Sequence, residues 1–155
     1  MNKAEKSSTQ QERLQFVGLA QQHFKKALEI FPKNADAAYK LGLIYAIMND
    51  TSLAVSYYRT AIEHKPDFVY ALTNLSAVYA SKQQYDSALF FLNRSFTADS
   101  INPMTLTNLV VIHSIRGEDS LVVKYAQVAD RNHQMSDKIS LIYQESIRKI
   151  KGKGI

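Results

Sequence analysis

The sequence predicts an all-α solenoid of about three and a half helical hairpins, closed by a C-terminal capping helix. Three observations predict it. Apolar residues recur at three- and four-residue spacing through most of the 155 residues, which is the period of an amphipathic helix rather than a strand. The stretch 35–66 returns after thirty-four residues: Leu41 becomes Leu75, Gly42 becomes Ser76, Tyr45 becomes Tyr79 and Ala54 becomes Ala88. A second shift gives Leu109, Val110, His113 and Val122, so the chain is a repeat array. Finally, five Gly and three Pro are too few for the many turns of an all-β fold.

The elements follow in order. Residues 1–9 are polar, lack an apolar face and are expected to fray as a flexible N-terminus. A helix then starts near Ser8 or Thr9, carries Leu14, Phe16, Val17, Ala20, Phe24, Ala27, Leu28 and Phe31, and stops at Pro32. Its latter half, Ala20, Phe24, Ala27 and Pro32, has the spacing of Ala54, Tyr58, Ala61 and Pro66. It therefore reads as the second helix of a half-repeat over 10–32. Ser7, Ser8 and Gln11 stand where Leu41, Gly42 and Tyr45 stand one period later. Three hairpins follow, occupying 35–68, 69–102 and 103–136. Their helices are expected at 35–48 with 52–64, 69–82 with 86–98, and 103–116 with 119–131. Asn102 caps and Pro103 opens the fifth of these helices, and Gly117 stands just past its end. A capping helix over 137–150, capped by Ser136, carries Ile139, Ile142, Tyr143, Ile147 and Ile150, and 151–155 form a basic tail. The whole of 10–150 is read as one domain.

The physical logic of the pattern is close helix approach. Small residues (Gly42, Ser76, Ala54, Ala61, Ala88) let the two helices of a hairpin meet, and Tyr45, Tyr58 and Tyr79 fill the space that is left. No hairpin covers both its faces alone, so each depends on its neighbours.

Leu41-Gly42-x2-Tyr45 followed by Ala54, Tyr58, Ala61 and Pro66 is similar to the tetratricopeptide repeat, and the resemblance runs through roughly 20–150. Ala38 departs from it, with Tyr39 alongside to compensate; the second copy has Leu92, Ser95 and Ser100 where the first has Tyr58, Ala61 and Pro66. The resemblance implies a right-handed α-α superhelix whose first helices line a concave groove, and a non-enzymatic scaffold that binds an extended peptide or protein segment there. Transferred onto this chain, groove positions fall on Asp36, Tyr39, Lys40, Leu43 and Ile47, on Tyr70, Thr73, Asn74, Ala77 and Ser81, and on Met104, Thr107, Asn108, Val111 and Ile115. Asn74 and Asn108 stand one period apart on the same face. A carboxamide donates and accepts, so two in register would hold a peptide backbone, while Tyr39, Tyr70, Leu43 and Met104 would meet anchor side chains. The basic clamp that grips acidic C-termini in this family keeps only Lys40.

Composition bounds the alternatives. Without cysteine there is no disulfide, thiol nucleophile or Cys-based metal site. His23, His64, His113 and His133 lie far apart with no partner at ligand spacing, and no phosphate-cradling or nucleophile-elbow motif occurs. No enzyme, cofactor or metal is expected. His113 stands in the slot of Tyr45 and Tyr79 and is expected in the core or at a helix interface. A net charge of +5 is mild, and Lys138, Arg148, Lys149, Lys151 and Lys153 leave open a basic C-terminal contact with nucleic acid or an anionic membrane. The open face of the first helix leaves open a self-associating module, and hence a homo-oligomer. No apolar run reaches eighteen residues and the N-terminus has no apolar signal core, so a cytoplasmic location is expected.

Overall fold

The computed structural model describes residues 3–152, with eight helices: α1 (Lys3–Ile30), α2 (Ala35–Ile47), α3 (Thr51–His64), α4 (Val69–Ser81), α5 (Tyr85–Ala98), α6 (Pro103–Ile115), α7 (Asp119–Arg131) and α8 (Asp137–Gly152). The chain divides into two compact units, Met1–Pro66 and Asp67–Ile155, at a boundary between predicted repeats. In the first, α2 packs against both α3 and α1. In the second, α4 pairs with α5 and α6 with α7; α6 also packs on α4 and α5, and α8 on α6 and α7.

Helix ends fall within one or two residues of expectation, except at the two ends of the chain. The first helix begins at Lys3, not near Ser8. Residues 3–13 have no apolar stripe, yet they are rich in Lys, Glu, Gln and Arg, which keep side-chain freedom in a helix and favour it without tertiary help. At the other end α8 continues through Gly152, two residues past the expected stop and into the predicted tail.

The turn inside each hairpin is built the same way three times. Asn49, Gln83 and Gly117, one period apart, all take positive φ (60, 59 and 70°). Each donates its N–H to the carbonyl three residues back. The next residue donates five back: Asp50 to Tyr45 at 2.9 Å, Gln84 to Tyr79 at 3.0 Å and Glu118 to His113 at 2.9 Å. This is the Schellman closure, and it satisfies carbonyls that the helix end would otherwise orphan. His133 closes α7 in the same way, with φ 55°. Start signals are less uniform. Asn34, Asp50 and Asn102 accept N–H bonds from the first turns of α2, α3 and α6, and Ser136 from Ile139 at 3.3 Å, whereas Phe68, Gln84 and Glu118 make no side-chain cap.

One close pair sets the interior of the first hairpin, and the equivalent residues of the other two are buried as well. Gly42 lies so close to Tyr58 that an added Cβ would sit 2.5 Å from two of its ring carbons. One period on, the residues are Ser76 and Leu92, and then Val110 and Ala126, all buried. As the first-helix residue grows from Gly to Ser to Val, the second-helix residue shrinks from Tyr to Leu to Ala. The two sizes change in opposite directions, as close packing favours. Nearby, a stacked ring pair recurs with the same period: Tyr45 on Tyr57 (5.4 Å, 4°), Tyr79 on Phe91 (5.5 Å, 10°) and His113 on Tyr125 (5.4 Å, 11°). The Ser95 that replaces a small apolar residue is explained by its partner. Its buried hydroxyl meets the Thr105 hydroxyl at 2.7 Å, and Thr105 in turn donates to Asn102.

Candidate functional site

The second unit carries the register-matched asparagines. Because α4 and α6 pack side by side and begin thirty-four residues apart, Asn74 and Asn108 hold the same place on adjacent helices, and both are half-buried. Tyr70 and Met104, one turn earlier on each helix, are 53% and 46% exposed. Tyr70 is steadied by an edge contact with Phe68 (6.3 Å, 82°). Ala77 is exposed and Val111 half-buried on the following turns, with Ser81 and Ile115 exposed beyond them. This surface therefore combines apolar area with amide groups, which is the composition that captures peptide segments.

One expected groove residue does not belong to it. Thr73 is fully buried, and its hydroxyl donates to the Val69 carbonyl of its own helix. Thr107, at the equivalent position of α6, is half-buried and donates to the Pro103 carbonyl at 2.7 Å. Both hydroxyls fall back on the preceding turn, a common option for Thr in a helix, so this position turns sideways out of the groove in the second unit.

The first unit holds the remaining expected positions. Lys40 is exposed, with its ammonium 5.6 Å from the centre of the Tyr39 ring. Tyr39 is half-buried and tilts against Tyr58 at 6.0 Å, consistent with its expected role of compensating for small Ala38, which is fully buried. Leu43 is half-buried, while Asp36 and Ile47 are exposed.

A polar cluster at the α6–α7 turn escaped sequence reading. His113 is buried, as its repeat position requires, and its Nδ1 lies 2.5 Å from Glu118. Arg116 donates to Glu118 at 2.9 Å and also reaches Asp86 at the start of α5. The bond to His113, followed by the nearby Arg116, holds the Glu118 carboxyl below the usual carboxylate range. His113 Nε2 is buried without a hydrogen-bond partner. The cluster ties two successive hairpins together, and its ring stack on Tyr125 marks it as packing. The sequence signal for it was the departure of His113 from Tyr at a repeat position. Among the described residues no cluster of His, Asp and Glu is fit to hold a metal, and no helix is long and apolar enough to cross a membrane.

Helical hairpins recurring with a period of thirty-four residues, matched small–large contacts and a shared Schellman turn define an α-helical repeat protein. Residues 23–55 match the model of the tetratricopeptide repeat. The chain thus carries a tetratricopeptide repeat at 23–55 within an all-α helical-repeat fold. Solved structures agree. A chain of the APC/C Cut9–Hcn1 hetero-tetramer superposes with a TM-score of 0.70 at 14% identity, over 89% of this chain and 28% of that one. MamA gives 0.67 at 14% identity, over 92% and 84%. A mutant O-GlcNAc transferase from Thermobaculum terrenum gives 0.61 at 20% identity, over 72% and 22%. At such identities the likeness is one of fold, and this chain spans under a third of the Cut9–Hcn1 and transferase chains. No curated protein is similar enough in sequence to stand as a relative. Tetratricopeptide arrays are, in general, scaffolds for protein–protein interaction.

Proposed function

We propose that the chain is a non-enzymatic, cytoplasmic scaffold that binds an extended peptide or protein segment along the face of α4 and α6. The observation that carries this is the repetition of Asn74 at Asn108 on adjacent packed helices, each preceded by an exposed large apolar side chain. The two carboxamides pair with the peptide backbone, while Tyr70 and Met104 receive side chains and Ala77 leaves room for close approach. In the first unit Lys40, Tyr39 and Leu43 offer a cation beside apolar surface. The chain in the Cut9–Hcn1 hetero-tetramer, which this fold matches, works in a protein assembly, in keeping with a protein partner here. The test is a peptide-library screen followed by titration of a hit against the Asn74→Ala/Asn108→Ala variant. Loss of about tenfold or more in affinity is expected from removing hydrogen bonds worth ~0.5–1.5 kcal/mol each. Unchanged affinity refutes the asparagine role.

A second reading is self-association through α1, where Leu14, Phe16 and Leu19 are 64%, 70% and 45% exposed. Large apolar side chains left this exposed mark candidate contact surfaces. Sedimentation of a monomer at high concentration excludes it.

A further inference from the structure

The α4–α6 face sets a distance as well as a chemistry. Tyr70 and Met104 hold equivalent places one period apart, as do Asn74 and Asn108, on helices that pack side by side. Helices in direct contact lie about 8–10 Å apart, so a segment that crosses both must present like groups at that interval. A β-strand advances about 3.3 Å per residue and returns a side chain to the same face at every second residue. Its like groups recur about 7 or 13 Å apart and miss the interval. A polyproline II segment advances about 3.1 Å per residue with three residues per turn. Its like groups recur about 9 Å apart and match the interval.

On the footing that this face captures a peptide, we infer that the captured segment is uncharged, proline-rich and in the polyproline II conformation, with proline or another apolar residue at every third position. The side chains select each feature. Tyr70 is exposed, and its edge contact with buried Phe68 keeps the ring in place; an aromatic ring so held is the surface on which proline rings dock. Met104, exposed at the matching place, is unbranched and polarizable and adapts to the next apolar residue. Asn74, Ala77, Asn108 and Val111 add no charge, so an acidic or basic ligand side chain turned onto this face would lose water with no opposite charge to replace it. Polyproline II has no internal hydrogen bonds, which leaves every carbonyl of the ligand open to the N–H donors of the two carboxamides. Proline lacks an N–H of its own and has φ already fixed, so docking it orders little further. The ligand belongs to another protein. Pro32, Pro66 and Pro103 stand singly, thirty-four or more residues apart, so a second copy of this sequence offers no such segment.

The probes are three fluorescein-labelled synthetic peptides of equal length, repeating Pro-Ala-Ala, Pro-Ala and Thr-Ala-Ala, titrated into the full chain by fluorescence anisotropy. The first should bind at least about tenfold more tightly than the other two, which lack the spacing or the proline. Tyr70→Ala should weaken that binding about tenfold, with an unaltered thermal melt because the side chain is exposed, whereas Tyr70→Phe keeps the ring and should keep the affinity. The inference is overturned if no proline peptide binds, if the Pro-Ala-Ala and Pro-Ala repeats bind equally, or if Tyr70→Ala leaves affinity unchanged. A peptide-library hit without proline that loses affinity in the Asn74→Ala/Asn108→Ala protein also overturns it, while leaving the peptide scaffold standing. Binding of the Pro-Ala-Ala repeat that depends on Tyr70 and not on the two asparagines supports it, and overturns the asparagine role instead.

Discussion

The facing pair Gly42 and Tyr58 allows a sharp test of how the hairpins are packed. Adding a Cβ at Gly42 puts a carbon 2.5 Å from Cδ1 and Cε1 of Tyr58 and 3.2 Å from Cγ. Comfortable carbon contacts are about 3.5–4.0 Å, so the overlap is about 1 Å. Tyr58 is only 2% exposed and leans on Tyr39, so its ring has nowhere to swing. Gly42→Ala gains ~1 kcal/mol of helix propensity against an overpacking cost of ~1–3 kcal/mol, and the clash should win. Gly42→Val crowds the site further and should approach or exceed the upper figure. Tyr58→Ala empties a fully buried site and should cost ~3–5 kcal/mol. The combination Gly42→Val/Tyr58→Ala installs the pair found at Val110 and Ala126, and should recover ~2–3 kcal/mol relative to additive losses. Urea unfolding followed by helical circular dichroism measures all four proteins. Additivity within ~0.5 kcal/mol would refute volume matching as the organising contact.

Two further outcomes follow from the same structure. Gln83 holds φ 59° without glycine's freedom, so Gln83→Gly should stabilise by ~0.5–1 kcal/mol: relief of ~1–2 kcal/mol of left-handed strain, less the greater entropy of the unfolded glycine, as read in the same urea titration. Burial, aided by nearby Tyr39, pushes the Tyr58 hydroxyl up to about 12, and burial raises Tyr125 as well; the unfolded chain ionises near 10 while the folded one holds its proton, so stability is intact below pH 10 and should fall by up to ~2–3 kcal/mol as pH rises towards 12, a slope that Tyr58→Phe should flatten.

Period and side-chain size carried most of the fold into the sequence. Leu41, Leu75 and Leu109 announced the same buried face three times, and Asn102 and Ser136 announced their caps. Other features had no such signal. Gln83 is not a turn former, and only the recurrence of Asn49 and Gly117 on either side shows that its position demands positive φ. The ring partners Tyr57, Phe91 and Tyr125 lie outside the motif residues, so the stacks emerged only when the helices were placed. Thr73 reads as a groove residue from its position number, yet its short hydroxyl can bond to the preceding turn, and packing then encloses it. The start of α1 was hidden because helix propensity without an apolar stripe leaves no periodic trace.

The matched pairs bear on a hazard peculiar to repetitive chains. Successive copies with similar backbones offer a folding polypeptide several ways to marry a first helix to the wrong second helix. Here the wrong marriages are marked by size. A helix bearing Val110 laid against one bearing Tyr58 is overfilled, and one bearing Gly42 laid against one bearing Ala126 leaves a void. Size differences of this kind favour the right pairing of first and second helices, alongside the short connecting turns.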